Sequence, residues 1–377
     1  MKNFIKSFLP AYFVPGTKKI RPSKWVALVF LLILGLVPLH FTATGNTWLV
    51  KLLTTTNIFA IFAISWDILS GYTGQENFGH HFFVGVGAFL VGLFTIALVR
   101  GSTFGGITYP PLINFQLPVP VLILFAGVLS AVFGVLIGIP CLKLAGPYLA
   151  LATLAMGLIF HEFVDKILPG LHPNLKAHAT ESIRGIENFA SPIPFYYIIL
   201  LVTILSLIVI YSFSRSHYGL VLKAIKKDEP AAKAMGINTT KYKVAIFAGS
   251  AFFAGVAGAF LAYALNAISA VDVESNLTIK IISMCIVGGM GTISGSFGGA
   301  YFLMALMWGL NEISRTLSDL TGIAEINAAY KIFEDIFYYG AIIIVLLFLP
   351  HGVIVTIIKK MDKIKARLKR LVSRRSS

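Results

Sequence analysis

Charge is scarce in this sequence. Asp, Glu, Lys and Arg make up 12% of its 377 residues, about half of the ~25% usual in a soluble domain. Hydrophobic residues reach 57% and the mean hydropathy is +0.83. So little polar surface cannot cover a globule in water. That excludes a soluble enzyme with or without one anchor, a disordered chain, a collagen-like fibre and a coiled coil, and leaves an integral membrane protein. Cysteine is nearly absent. Cys141 and Cys285 lie far apart, which gives neither a disulfide framework nor a Cys-x-x-Cys metal site. No Gly-x4-Gly-Lys-Ser/Thr loop occurs, so nothing here should cradle nucleotide phosphates. The first apolar run, 25–41, lacks a following Ala-x-Ala. It reads as a retained spanning helix rather than a cleaved signal.

Acidic residues are the scarcer sign, 16 against 31 basic ones. Three stretches, 1–24, 214–243 and 359–377, hold 22 of the 31 Lys and Arg but only three acids. Each lies beside a long apolar run, the pattern of segments kept on the cytoplasmic face of a membrane. No folded domain large enough to present a nucleic-acid face is present, so no nucleic-acid partner is expected. The basic tail suits anionic membrane lipid instead.

A spanning helix needs about 20 mostly apolar residues. Candidates are 25–41, 48–69, 79–99, 118–139, 147–168, 193–213, 244–265, 277–310 and 330–350. The prediction is an all-α polytopic transmembrane bundle of eight to ten spans. A basic cytoplasmic segment 1–24, a transmembrane domain 25–358 and a basic cytoplasmic tail 359–377 divide the chain. Both termini and the loop 214–243 share one side, so an even number of crossings must separate them. The run 277–310 would be about 51 Å long as one helix, too long for a single pass. Its centre carries Gly288, Gly289, Gly291 and Gly295. A break there, with two passes or a re-entrant part, restores parity; ten spans are expected, with eight as the alternative.

Glycine-rich breaks at membrane depth free backbone groups that protein or a wet cavity must satisfy. Two are expected, one from Gly71 and Gly74 through Gly79, Gly85 and Gly87, the other from Gly288 to Gly299. Broken helices in the two halves of a chain point to a translocation pathway; close helix packing through small residues is the competing explanation. The loop 214–243 predicts two short helices. One covers about 217–227. The next starts near Asp228, Glu229 and Pro230, residues suited to a helix start, and stops at Gly236, a suitable C′ residue. Its small side, Ala231, Ala232 and Ala234 with Met235, would fit a groove on a partner or rest on lipid.

Together these stretches resemble a known family. Glu229-Pro-Ala231-Ala232-x3-Gly236 is similar to the EAA-type loop of ABC importer permeases. Gly71-Tyr72-x-Gly74-Gln75-x3-Gly79-His80-x2-Phe83-x3-Gly87-Ala88 resembles branched-chain amino-acid permeases of the LivM type. So do Gly146-x-Tyr148-x-Ala150-x2-Thr153-Leu154-Ala155, Ser250-Ala251-x2-Ala254-Gly255-x-Ala257-Gly258-Ala259, Gly288-Gly289-x-Gly291-x3-Gly295 and Pro350-x-Gly352. They occur in family order over roughly 55–355.

The resemblance implies an all-helical permease without enzymatic activity or cofactor. Its partners would be a second, LivH-like permease subunit, two cytosolic ABC ATPase subunits and an extracytoplasmic substrate-binding protein. Leucine, isoleucine and valine or related amino acids are the implied substrates, with urea or short amides as the alternative. Asp228, Glu229, Ala231, Ala232, Met235 and Gly236 would couple to the ATPase. Asp67, Gly71, Gly74, Gln75, Asn77, Gly79, His80, Thr153, Gly288, Gly289 and Gly291 would line the substrate pathway. Three departures stand out. Asp67 lies where the family commonly has Asn, Asn77 where it commonly has Ser, and 177–186 keeps Ile183-Arg184-Gly185-Ile186 without the usual preceding glycines.

Ionisable groups within spans usually face a pathway or a partner. Here they are Asp67, Glu76, His80, His81, His161, Glu162 and Asp165. The two histidines after Gly79 read more readily as packing or capping residues than as ligands. Phe78, Phe82 and Phe83 would line an apolar pocket or simply pack. A remote enzyme reading rests on His161 and Asp165, one turn apart on one helix face. A zinc site needs a further ligand, and the sequence offers no second His at that spacing, so no metal is expected.

Overall fold

The computed structural model describes residues 33–36, 38, 48–97, 102–104, 107–109, 117–142, 144, 146–168, 183–184, 192–321, 324–349 and 352–357. The basic segment 1–24, the tail 359–377, Pro350 and most of the runs 25–41 and 177–186 lie outside the described residues. The structure is an all-helical bundle. Its helices are α1 (Trp48–Thr73), α2 (His80–Gly92), α3 (Val119–Cys141), α4 (Pro147–Glu162), α5 (Pro192–Arg215), α6 (His217–Lys227), α7 (Glu229–Ala234), α8 (Thr239–Leu265), α9 (Ser275–Gly288), α10 (Ile293–Thr321) and α11 (Ala324–Phe348). Single π-helical turns extend α2 and α4. Among the described residues strand is confined to two ribbons. One pairs Ser102–Phe104 with Ile107–Tyr109, the other Ile183–Arg184 with Ala267–Ile268, both antiparallel.

Among the described residues seven helical stretches are long and apolar enough to cross a membrane: α1, α3, Pro147–Ile167, α5, α8, α10 and Ile336–Ile357. His80–Thr95 is a shorter apolar helix. The expected break in 277–310 is present. Residues 289–292 separate α9 from α10.

The chain forms two compact units, one of residues 40–282 and one of 1–39 with 283–377. In the first, α1 and α8 are the most buried spans. Both are apolar on nearly every side, as central helices must be. Helix α8 packs against α1, α2 and α3, and α5 packs on α1. Small residues set the α2–α8 spacing. A methyl group on Gly87 would collide with the Gly255 carbonyl, and one on Gly258 with the Val84 carbonyl. These glycines serve close helix packing rather than a break. A cluster of aromatic rings fills the space beside them. Phe82 meets Phe83, Phe133 and Phe160 edge to face at 5.1 to 5.7 Å, and Phe83 meets Phe247 likewise at 5.6 Å.

In the second unit, α10 turns back along the end of α9. Gly288 lies against Gly295, and Met284 against Gly299. Gly289 (φ 118°) and Gly291 (φ 81°) take the left-handed turn between them, a backbone region that suits glycine. Helices α10 and α11 pack together.

Candidate functional site

The first break does not begin where the glycines begin. Helix α1 continues through Gly71 to Thr73, and residues 74–77 carry no regular structure before the turn into α2. Gly85 and Gly87 lie inside α2. Gly74 ends α1 with φ +73°, and its N–H donates to the Ser70 carbonyl at 3.0 Å. That is the αL ending favoured by glycine.

Side chains from three helices hold the break. The Trp66 indole N–H donates to the Asn77 carbonyl at 2.8 Å. The Asn77 side-chain oxygen accepts from Gly79 N–H at 3.0 Å. The Phe78 N–H donates to Thr153 Oγ1 at 3.1 Å. Gly79 passes so close to the Thr153 carbonyl that a methyl group there would collide with it. His80 Nε2 lies 3.0 Å from Ser65 Oγ, and His81 bonds Thr278 through both its N–H and its ring. Both histidines are buried. Polar capacity remains unused around them. Gln75 Nε2 and Oε1, Asn77 Nδ2, Ser70 Oγ and His80 Nδ1 are buried without a hydrogen bond. Such atoms are rare in folded proteins.

Asp67 is fully buried in α1, one turn before Gly71, within electrostatic reach of Lys226. Gly74, Glu76 and Phe78 are the solvent-open residues of the break. Phe82 and Phe83 sit in the aromatic cluster. Gly288, Gly289 and Gly291 lie at the α9–α10 turn of the other unit.

The loop helices form where expected, and their joints explain why. Asp228 caps α7, its Oδ1 accepting from Ala231 N–H at 2.9 Å, the usual role of an N-cap carboxylate. At the other end Ile237 N–H donates to the Ala232 carbonyl at 3.1 Å and Gly236 N–H to the Lys233 carbonyl at 3.0 Å. With Gly236 at φ +82°, this is a Schellman ending. Its apolar contact is present too, because Ile237 packs with Tyr242 on buried Val221, Ile225 and Ala232.

Ala232 thus faces into the hairpin, which corrects the expected outward small face at that position. Ala231, Ala234 and Met235 do face outward, and Met235 is 81% exposed. Glu229 ties α7 to α8. It accepts from Lys243 at 2.5 Å, Lys233 at 3.1 Å and Thr239 Oγ1 at 3.0 Å. Burial alone would raise its pKa, but the bonds from Lys243, Lys233 and Thr239 hold it down to about 2.

Helix α6 joins this hairpin to the break. Lys226 Nζ donates to the Gly71 carbonyl at 2.7 Å. Lys223 Nζ sits 4.7 Å from the centre of the Tyr72 ring. These contacts span about 150 residues of sequence and were not legible as motifs, nor were Ser65, Trp66, Thr278 and Lys243. Only the cluster of basic residues in the loop hinted at them. On α4, His161 Nδ1 lies 3.2 Å from the Ala270 carbonyl, and Glu162 pairs with Lys166 on the open side. Among the described residues no group of three His, Cys, Asp or Glu is placed to hold a metal.

The described residues thus form a multi-pass helical membrane protein with a broken helix and a capped two-helix loop, and comparison with known proteins places it among transport permeases. The chain belongs to the family described as "Branched-chain amino acid transport system / permease component", whose profile matches residues 48–347. It is 26% identical over 334 residues to the high-affinity branched-chain amino acid transport system permease protein LivM of Escherichia coli, covering 81% of this chain and 73% of that protein. BraD of Pseudomonas aeruginosa, a permease protein of the same transport system, is 24% identical over 81% of this chain and 94% of its own length. An autoinducer 2 import system permease protein, LsrC of an Enterobacter species, is 26% identical over 65% of this chain and 75% of its own. No solved structure matches.

Proposed function

We propose that this chain is the LivM-type permease subunit of an ABC importer in the bacterial cytoplasmic membrane, moving branched-chain amino acids. The observation that carries the reading is the α6–α7 hairpin. It is capped at both ends, locked to α8 through Glu229, and presents Met235, Ala231 and Ala234 outward. A rigid, exposed knob of this kind suits a groove on a cytosolic ATPase subunit.

In the proposed cycle, ATP-driven closure of two ATPase subunits pushes the hairpin and biases the bundle between inward-open and outward-open states. A binding protein outside delivers the amino acid. The 74–81 break supplies part of the route. Gln75 and Asn77, whose buried side chains hold polar atoms without a hydrogen bond, supply polar contacts to the amino acid. Gly288, Gly289 and Gly291 give the second break the same backbone freedom. A second, LivH-like permease completes the pathway. Helix α4 supports that partner. It is the least buried long span, and its open side carries Leu151, Leu158 and Ile159 with the Glu162–Lys166 pair. Charged groups there are better placed against protein than against hydrocarbon.

Reconstitution with the second permease, the ATPases and the binding protein tests the reading. ATP-dependent uptake of leucine, isoleucine or valine is expected. Uptake of urea or amides alone, or uptake without ATPase subunits, would overturn it.

A further inference from the structure

We propose that Lys226 is the positioning residue that transmits motion of the α6–α7 hairpin to the helix break at 74–79. The inference rests on the importer reading above and identifies the mechanical link within it.

The last turn of a helix leaves carbonyls without helical partners. In α1 the carbonyls of Ser70 and Gly71 take donors from outside the helical ladder. Leu69 O accepts from Thr73 Oγ1 at 2.6 Å and Ser70 O from Gly74 N–H at 3.0 Å. Gly71 O has no local donor and takes Lys226 Nζ at 2.7 Å. The ammonium therefore caps α1 from another element, at the end where the helix dipole favours a cation. Its stem lies along Gly74, 3.4 Å from where a Cβ would stand. One turn earlier on α6, Lys223 grips Tyr72. Burial lowers the Lys226 pKa, and the nearby Asp67 carboxylate opposes that shift.

Stiffness lies on one side of this joint and freedom on the other. The hairpin is braced by the Asp228 cap, the Schellman ending and the Glu229 cluster. The break has no regular structure over 74–77 and hangs from single side-chain bonds. It also holds the unpaired polar atoms of Gln75 and Asn77. Those groups gain partners when the segment moves. A displaced hairpin must either break the Lys226 bond or carry the end of α1 and the break with it. That makes the break a two-state element biased from the loop.

The test uses the assembled importer with a fluorophore on Glu76→Cys, a solvent-open position in the break. In the otherwise native complex ATP changes the probe signal. Lys226→Met keeps the stem and removes the charge and the donor. The ATPase subunits should still co-purify, while the ATP-induced signal and uptake per ATP both fall about tenfold, within the range of allosteric couplings. Lys226→Arg should retain most of both. If Lys226→Met fails to assemble, Lys223→Met reports on the other arm of the clamp and should weaken the signal in the same direction. A normal ATP response in an assembled Lys226→Met complex, or in Lys223→Met where that is the variant read, overturns the proposal. Absence of ATPase docking in the native complex overturns the importer reading itself.

Discussion

The Thr278 hydroxyl serves His81 twice, accepting its backbone N–H at 2.9 Å and meeting its ring Nδ1 at 2.8 Å. The two residues are 197 positions apart, and both are buried. Thr278 thus ties the first turn of α2 to the helix that runs on towards the second break. Removing the hydroxyl leaves a buried N–H and a buried ring nitrogen unpaired. Each such loss costs ~1–3 kcal/mol. Thr278→Val should lower the thermal midpoint of the purified protein, while Thr278→Ser should restore most of it. Equal midpoints for native protein and Thr278→Val would show that the hydroxyl has no structural weight.

Thr153 performs a similar service for the break, since Phe78 N–H has Thr153 Oγ1 as its acceptor. Thr153→Val keeps the shape and deletes the acceptor, at a cost of about 1–3 kcal/mol. Gly79→Ala forces a methyl group into the Thr153 carbonyl, and relief requires the two helices to part. Both variants should lose substrate uptake while retaining the ATPase subunits, because neither touches the hairpin. Uptake assays paired with co-purification separate these outcomes.

Within the hairpin, inward and outward residues should fail differently. Ala232 lies in the small core with Val221 and Ile225. A large side chain there overpacks it by ~1–3 kcal/mol. Ala232→Trp should therefore unseat α7 and abolish transport through loss of hairpin structure, visible as faster amide exchange over 229–237. Met235→Asp should leave that exchange unchanged and weaken ATPase docking. Normal transport by Ala232→Trp would remove the hairpin from the mechanism.

Sequence signals gave the hairpin nearly residue by residue, because its determinants are local. Asp228, Pro230 and Gly236 act within one turn of where they stand. The first break was misplaced by a few residues for a physical reason. Gly71 reads as a helix breaker, but α1 survives through it because Lys226 satisfies its carbonyl from 155 positions away. Gly85 and Gly87 read as part of the break but pack helices, which only the neighbouring backbone reveals. Asp67 reads from the sequence as an ionisable group facing a pathway or a partner. Its relation to Lys226 is tertiary, so no spacing rule could display it. The outward or inward aim of Ala232 likewise depended on where α6 and α8 lie.

Glu229 should give the hairpin an acid limit. Its folded pKa of about 2 lies below the ordinary carboxylate value of ~4.3. A depressed carboxyl contributes stability that is present above the ordinary value and is lost as pH falls through the folded one. The window therefore runs from about pH 4.3 down to about 2, and nothing changes between pH 5 and 8 from this group. Its side chain is 31% exposed, so water screens part of the effect. Amide exchange over 229–243 should accelerate across that window in the native chain. Glu229→Gln cannot ionise and should show weaker protection at neutral pH with a flatter acid response. Lys243→Met removes one ammonium and should move the transition upward, towards the ordinary carboxylate range. An acid response in Glu229→Gln as steep as in the native chain would assign the transition to other carboxylates.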